Sequence, residues 1–226
     1  MMLLIVTLLL FAIRWFGGPW KRVRLAHYAQ PRAVQEKQAR LMRAMARVAR
    51  ALDADNIPYW LTAGSMLGAA RHAGMIPWDD DIDLGVWVDD LPRVARCVRE
   101  RLGVALGSFP LPRIPLGGWE WIDVIPYTTL ASQPSQQRRS GPTVWPDSVY
   151  ARTMWPREGF HAHELARRVW VDFGELRLPV PAGYVAALDR WYPNWREEAV
   201  LQDHDIRHFF TQRTIRVRDI DDARQL

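Results

Sequence analysis

A chain of 226 residues is long enough for one domain with a substantial hydrophobic core. Its apolar fraction of 49% and charged fraction of 24% are those of a globular protein and exclude a fibrous or wholly disordered chain. The net charge of +5 suits an anionic substrate or a membrane surface, but no nucleic-acid-binding motif accompanies it, so we expect no nucleic-acid partner. Cys97 is the single cysteine, which excludes an internal disulfide.

The chain begins with an unbroken apolar run from Met1 to Ile13. At ~1.5 Å per residue this run reaches about two-thirds of a ~30 Å hydrocarbon core, and extension through Trp20 supplies enough length. No basic segment precedes the run and no cleavage site follows it, so a removed signal peptide is disfavoured. We therefore predict that residues 1–24 form a hydrophobic helix with a basic flank, a single-pass membrane anchor, and that residues 25–226 form a catalytic domain.

The basic residues that follow the run bear on the orientation of this anchor. Arg14, Lys21, Arg22 and Arg24 lie directly after it. The positive-inside rule would therefore leave the catalytic domain on the cytosolic face.

The first predicted helix of the domain spans residues 31–52. Leu41, Met45, Val48 and Leu52 recur at helical spacing and form its apolar stripe. The arginines on its other face are expected to be solvated.

The stretch from Tyr59 to Leu84 is predicted to organise the site. A short strand at residues 58–62 precedes Gly64 and Ser65, which open a helix that runs to about His72. Gly64 has no Cβ to keep a phosphate away from the backbone, and Ser65 can cap a helix end that favours anions. Gly74 suits the position just after the helix, and Pro77 prevents the helix from resuming.

Four aspartates follow at positions 79, 80, 81 and 83. Side chains alternate along a strand, so Asp81 and Asp83 share one face, roughly 6–7 Å apart at the backbone. Such a pair can bind a hard divalent cation, Mg²⁺ or Mn²⁺. An EF-hand loop is excluded because Leu84 stands where that loop requires glycine and Asp90 where it requires glutamate.

Two further elements follow the aspartates. Asp90 is predicted to cap a helix that ends at Gly103, and residues 119–125 are predicted to form an apolar strand. A charged Asp123 within that strand requires a partner. We predict that Asp123 is the third metal ligand; the alternatives are a salt bridge from Asp123 to an arginine, or Glu120 as the ligand.

Residues 64–86, GSMLGAARHAGMIPWDDDIDLGV, resemble the signature of the LicD/fukutin family of nucleotidyltransferase-fold phosphotransferases. Weaker similarity extends over roughly residues 35–196, and Asp123 matches the position of the family's later aspartate. The resemblance implies a mixed α/β (α+β) fold, with a small nucleotidyltransferase-like sheet flanked by helices. It also implies a transferase that moves a phosphorylated alcohol, such as phosphocholine or ribitol phosphate, from a CDP-linked donor to a glycan. Eukaryotic relatives face the Golgi lumen, so in a eukaryote the secretory pathway is expected, and otherwise the cytosolic face.

The combined prediction assigns Asp81, Asp83 and Asp123 as catalytic metal ligands and Gly64, Ser65 and Arg71 as the phosphate-binding residues. Arg71 either clamps a donor phosphate or pairs with Asp80, and the sequence does not separate the two.

The rest of the chain is predicted to contribute less directly to the site. Residues 132–148 are expected to form a surface loop, and residues 169–173 and 176–180 a hairpin around Gly174. Residues 184–191 are expected to form a short helix, and the chain beyond about Asp203 to be peripheral. His161, His163, His204 and His208 lack a third ligand and are expected to be surface histidines.

Two rival functions remain open. A nucleotide-sugar glycosyltransferase also uses an Asp-x-Asp pair with a divalent cation. A non-catalytic, membrane-attached binding protein could retain the fold.

Overall fold

The computed structural model describes residues 21–24, 28–108, 110–118, 120–129, 144–201 and 211–221. The chain divides into two compact units. One comprises Met1–Gln30 with Asn194–Leu226, and the other comprises Pro31–Pro193.

The helices and strands are numbered here in chain order over the described residues. The α-helices are α1 (Arg32–Ala54), α2 (Ala63–His72), α3 (Leu91–Leu102), α4 (Val149–Met154) and α5 (Tyr184–Trp191). The strands are β1 (Lys21–Arg24), β2 (Tyr28–Ala29), β3 (Tyr59–Leu61), β4 (Ile82–Trp87), β5 (Arg113–Gly117), β6 (Glu120–Thr129), β7 (Val144–Pro146), β8 (Arg168–Phe173), β9 (Leu176–Pro181), β10 (Glu198–Leu201), β11 (Thr211–Arg216) and β12 (Ile220–Asp221).

A five-stranded mixed sheet forms the centre of the larger unit. Its order is β3-β4-β6-β5, and β7 pairs with the far end of β6. Strands β4 and β6 are parallel neighbours, whereas β3, β5 and β7 pair antiparallel to them. Leu84, Val86, Ile122 and Val124 on the two central strands are fully buried. This is the mixed α/β architecture that the sequence predicts.

The helices around this sheet form where the apolar spacing predicts them. Leu41, Met45, Val48 and Leu52 of α1 are all at most 1% exposed, so this stripe is the packed face of the helix. Helix α3 ends at Gly103, whose φ of 71° is the left-handed conformation that glycine adopts at low cost.

Two smaller predictions in this unit are corrected. Ala73, with a φ of 48°, ends α2 in the left-handed conformation, and not Gly74. Thr62 is the N-cap residue of α2, so Ser65 lies inside the first turn and does not cap the helix. Close packing at this end of α2 requires glycine at position 68, because a Cβ added at Gly68 would lie 2.4 Å from the carbonyl oxygen of Gly74.

The predicted hairpin and the helix after it are confirmed. Strands β8 and β9 pair antiparallel, with Phe173 opposite Leu176 and Gly174 in the turn at a φ of 62°. Helix α5 spans the predicted residues and buries Ala187, Leu188 and Trp191.

The smaller unit contains a three-stranded sheet with the order β1-β11-β10 and a pairing of β2 with β12. Residues 211–216, which the sequence analysis expected to be peripheral, form the central strand of that sheet.

The predicted N-terminal anchor lies outside the described residues, apart from its last four positions. No helix among the described residues combines the length and the apolarity needed to cross a membrane. The division into residues 1–24 and 25–226 stays a prediction.

Candidate functional site

The parallel pairing of β4 with β6 brings the predicted acidic residues together. Asp83 lies directly opposite Asp123 in the strand register, and Asp81 immediately precedes β4. One carboxylate oxygen from each of Asp81, Asp83 and Asp123 can be chosen so that all three lie within 4.8 Å of one another. Residues forty positions apart in the chain are thus adjacent because the two strands are neighbours.

The electrostatics of this cluster favour a cation. Burial raises the pKa of Asp83 well above its usual range, and the charges of Asp81, Asp123 and Asp79 raise it further. Burial also raises the pKa of Asp79 well above its usual range, and the charges of Asp81 and Asp80 raise it further. Carboxylate oxygens are the ligands that Mg²⁺ and Mn²⁺ prefer, and their mutual repulsion is what a bound cation would relieve. The residues present therefore fit a divalent metal, and metal binding itself stays a prediction.

Asp123 also forms a salt bridge to an arginine, which was the alternative to its role as a metal ligand. The Arg113 Nε donates to Asp123 Oδ1 at 2.7 Å, and the Trp121 Nε1 donates to Oδ2 at 3.3 Å. The Arg113 guanidinium in turn lies 4.3 Å from the centre of the Trp121 ring. Burial nevertheless raises the pKa of Asp123, because it outweighs these contacts. An ionised carboxylate has about four acceptor positions, so two hydrogen bonds leave room for a metal.

Glu120, the alternative ligand, is engaged elsewhere. Its carboxylate accepts two hydrogen bonds from Arg40, with Nη2 at 2.6 Å and Nε at 2.9 Å from Oε1. It belongs to neither of the acidic groups that could hold an ion in the described part of the chain.

The start of α2 lies against the aspartates. A Cβ added at Gly64 would stand 3.0 Å from Asp79 Oδ2 and 3.5 Å from Asp83 Oδ2, so a larger residue there would push the Asp79 carboxylate away from the helix start. The Ser65 hydroxyl accepts a hydrogen bond from the Asp83 backbone N–H at 2.8 Å. This hydrogen bond therefore connects the start of α2 to β4.

Arg71 lies on the same face of α2 as Gly64, two turns further along. Burial lowers the pKa of its guanidinium to about 10, whereas the charges of Asp79 and Tyr192 act in the opposite direction. Its Nε donates to His72 Nε2 at 2.8 Å.

Asp80, the other predicted partner of Arg71, forms an ion pair with a lysine. Lys37 of α1 contacts it, with Nζ 2.7 Å from Oδ2. The neighbouring loop is held by Gln38, whose Nε2 donates to the Ile76 carbonyl at 2.7 Å and to the Asp79 carbonyl at 2.8 Å.

Sequence reasoning missed Glu158. This carboxyl is 5% exposed, and burial raises its pKa to about 7. Its Oε1 accepts a hydrogen bond from the Tyr192 hydroxyl at 2.6 Å, and its charge acts on Asp83. No local pattern around residue 158 indicates this role, because the neighbourhood is created by the tertiary fold.

Two of the four histidines considered above, His161 and His163, lie in the described part of the chain. His161 and His163 stack with their ring centres 5.4 Å apart, and neither belongs to a group of potential metal ligands in the described part of the chain. His204 and His208 lie outside the described residues.

Comparison with known proteins identifies a family. Residues 56–183 match the profile described as LicD/FKTN/FKRP, nucleotidyltransferase domain. The chain is 34% identical over 166 residues to ribitol 5-phosphate transferase FKRP of Homo sapiens, an alignment that covers 70% of this chain and 30% of FKRP. It is 26% identical over 205 residues to the uncharacterized protein RP689 of Rickettsia prowazekii, covering 89% of this chain and 73% of that protein.

A shorter match is to a bacterial protein. The chain is 51% identical over 37 residues to lipopolysaccharide cholinephosphotransferase LicD of Haemophilus influenzae, which is 16% of this chain and 14% of that protein. The chain thus spans most of the rickettsial relative but less than a third of FKRP.

Proposed function

The chain belongs to the LicD/FKTN/FKRP nucleotidyltransferase-domain family, and we propose that it is a metal-dependent transferase of phosphorylated alcohols. The donor is a CDP-linked alcohol, such as CDP-ribitol or CDP-choline, and the acceptor is a hydroxyl of a glycan. The observation that carries this proposal is the convergence of the Asp81, Asp83 and Asp123 carboxylates.

The reaction follows from the chemistry of this donor. The acceptor oxygen attacks the phosphorus that bears the alcohol, the bond from that phosphorus to the CMP oxygen breaks, and CMP leaves with the electron pair. A divalent cation, when bound, neutralises charge on the donor phosphates as that bond breaks.

The residues of the chain then have separable roles. Asp81, Asp83 and Asp123 would hold the cation. Gly64 lets the Asp79 and Asp83 carboxylates lie close to the start of α2, and the backbone N–H groups there favour an anionic group. Arg71 contributes a positive charge on the same helix face, suited to a donor phosphate. A carboxylate of the cluster accepts the proton of the attacking hydroxyl.

Substitution of Asp83 tests the proposal. Purified protein is incubated with Mg²⁺, a glycan acceptor and CDP-ribitol, CDP-choline or UDP-sugars, and nucleotide release is measured. We expect CMP release by the wild type, its loss in EDTA, and a decrease of about 10³-fold in Asp83→Asn, equivalent to about 4 kcal/mol in the barrier. Asp89→Asn is the matched control, because Asp89 is exposed and lies just beyond the same strand.

The alternatives give different results. UDP release from a nucleotide sugar would indicate a glycosyltransferase. Mg²⁺-dependent nucleotide binding without turnover would indicate a binding protein. Turnover of Asp83→Asn at the wild-type rate would refute the assignment of the acidic cluster.

A further inference from the structure

One row of paired residues crosses the strands β4, β6 and β5 and connects the acidic cluster to an arginine. Asp83 lies opposite Asp123 in the parallel pairing of β4 with β6. Asp123 in turn lies opposite Arg113 in the antiparallel pairing of β6 with β5. Directly paired residues project from the same face of a sheet, and neighbouring strands lie about 4.8 Å apart. Arg113 is therefore on the face that carries Asp83 and Asp123, one strand beyond Asp123.

The guanidinium of Arg113 is held in place by two contacts. Its Nε donates to Asp123 Oδ1 at 2.7 Å, and the group lies 4.3 Å from the centre of the Trp121 ring. Trp121 is itself fixed, because its Nε1 donates to the other Asp123 oxygen at 3.3 Å. The ion pair and the stacked ring together orient the plane of the guanidinium before any ligand binds.

The two Nη atoms of Arg113 are not used by these contacts. In the described part of the chain, neither Nη atom donates to a protein acceptor. By comparison, Arg190 directs both of its Nη-type donors at Glu164, at 2.5 and 2.7 Å. The Arg113 side chain is 29% exposed, whereas that of Asp123 is 9% exposed. A guanidinium has five N–H groups, so the four on the Nη atoms are available to a ligand.

We propose that the Nη atoms of Arg113 bind a phosphate group of the donor diphosphate next to the acidic cluster. This inference rests on the proposed function, since the ligand that it names is the donor of that reaction. A planar guanidinium binds phosphate oxygens through two parallel N–H groups, which gives both affinity and orientation. Arg113 belongs to β5 and Arg71 to α2, so the donor would receive cationic contacts from two separate elements.

A purely structural role for Arg113 predicts a different result. If the guanidinium served only to orient Asp123, its loss would weaken Mg²⁺ binding. If it binds a phosphate, loss of the Nη atoms weakens nucleotide binding and leaves Mg²⁺ binding nearly unchanged. Arg113→Lys retains a positive charge for Asp123, and Arg113→Gln retains an N–H donor, but neither retains the guanidinium fork.

The test measures the Kd of Mg²⁺, and then the Kd of CDP in saturating Mg²⁺, by calorimetry on the full chain. We expect Arg113→Gln to raise the CDP Kd by about tenfold or more, because charge-assisted hydrogen bonds to phosphate are lost. Arg113→Lys should raise it by about threefold or more, because an ammonium cannot replace the fork. The Mg²⁺ Kd should stay within about threefold of the wild-type value in both variants.

The matched control is Arg101→Lys. Arg101 forms an ion pair with Asp55 at an exposed position on α3, so this variant makes the same substitution in an ion pair outside the candidate site. Its Kd values for CDP and for Mg²⁺ should equal those of the wild type.

Kinetics supply a second readout. In the CDP-alcohol assay, Arg113→Gln should raise the donor KM about tenfold and leave the KM of the acceptor glycan unchanged. A rise in the acceptor KM alone, with an unchanged CDP Kd, would overturn the assignment of the ligand. Should Arg113→Gln fail to fold, Arg113→Lys decides the question, because it keeps a cation beside Asp123.

The outcomes separate this inference from the proposed function. If the wild type binds CDP and turns over a CDP-alcohol, but Arg113→Gln matches Arg101→Lys in CDP binding, the phosphate contact alone is overturned. It is likewise overturned if Arg113→Gln weakens Mg²⁺ binding about tenfold while its CDP Kd in saturating Mg²⁺ stays at the wild-type value. If the wild type neither binds CDP nor releases CMP, the proposed function fails and this inference fails with it.

Discussion

Glu158 should make the stability of the protein depend on pH in a way that one substitution removes. Burial raises the pKa of its carboxyl from 4.5 to about 7 in the folded protein. A raised pKa means that the folded state favours the protonated form. The corresponding stabilisation is therefore complete below about pH 4.5 and is lost as the pH rises through about 7. At ~1.36 kcal/mol per pKa unit, the loss amounts to about 3 kcal/mol.

The measurement is the free energy of unfolding in urea, at pH values from about 4.5 to about 8, for the wild type and Glu158→Gln in EDTA. The glutamine resembles the protonated carboxyl and cannot ionise, so its curve lacks this contribution. Between the two pH limits, we expect the wild type to lose about 3 kcal/mol more stability than Glu158→Gln. Other carboxyls whose pKa is raised, such as Asp79 and Asp83, are present in both proteins and largely cancel in the comparison.

The control is Glu175→Gln, which changes an exposed glutamate in the β8–β9 turn. Its curve should follow that of the wild type. Parallel curves for Glu158→Gln and the wild type would refute the claim that the buried carboxyl takes up a proton on folding.

Two glycine substitutions test the packing around the site. Gly64→Ala should lower the affinity for Mg²⁺, measured by calorimetry, by roughly tenfold, because its Cβ would lie 3.0 Å from the Asp79 carboxylate and displace it. Gly107→Ala is its control, since the new Cβ there approaches nothing closer than 3.6 Å, and an equal loss in both variants would argue against the close approach. Gly85→Ala should lower the free energy of unfolding, measured in urea, by about 2–4 kcal/mol, because its Cβ would stand 2.2 Å from the buried Trp60 Nε1. A decrease below about 1 kcal/mol would contradict that packing.

The elements that the sequence predicts well are those determined by local pattern. The apolar stripe of α1, the end of α3 at Gly103 and the hairpin around Gly174 all form as predicted. Each depends on residues within a few positions of one another. The errors at Ser65 and Gly74 have the same origin, because helix ends are decided by competition among neighbouring residues that fit the role almost equally well.

The sequence groups Asp123 with Asp83 because Asp123 is a charge within an apolar strand and because the family resemblance supports it, but it does not show that the two strands are paired. Strand alternation places each carboxylate on a face, but it does not say which strands are neighbours. The parallel register of β4 and β6 supplies that information.

The four aspartates at positions 79, 80, 81 and 83 show what the sequence alone does not predict. They have similar local surroundings in the sequence, yet the fold gives them different partners. Asp80 pairs with Lys37, Asp79 packs against Gly64, and Asp81 joins Asp83. Glu158 enters the same neighbourhood from far along the chain, through the end of α5. These assignments depend on distant contacts that no local pattern encodes.

The salt bridge from Arg113 to Asp123 and a metal at Asp123 are compatible when the charges of the whole cluster are considered. Asp79, Asp81, Asp83 and Asp123 carry a formal charge of −4 when ionised, and Arg71 and Arg113 supply +2. The remainder is −2, or −3 when Glu158 is ionised as well, and a divalent cation would reduce it. A buried excess of charge is strongly unfavourable unless it is balanced, and the two arginines balance it only in part, which leaves the cluster suited to a cation. A diphosphate donor would restore a negative excess, which is the condition under which a second divalent ion would enter together with the substrate.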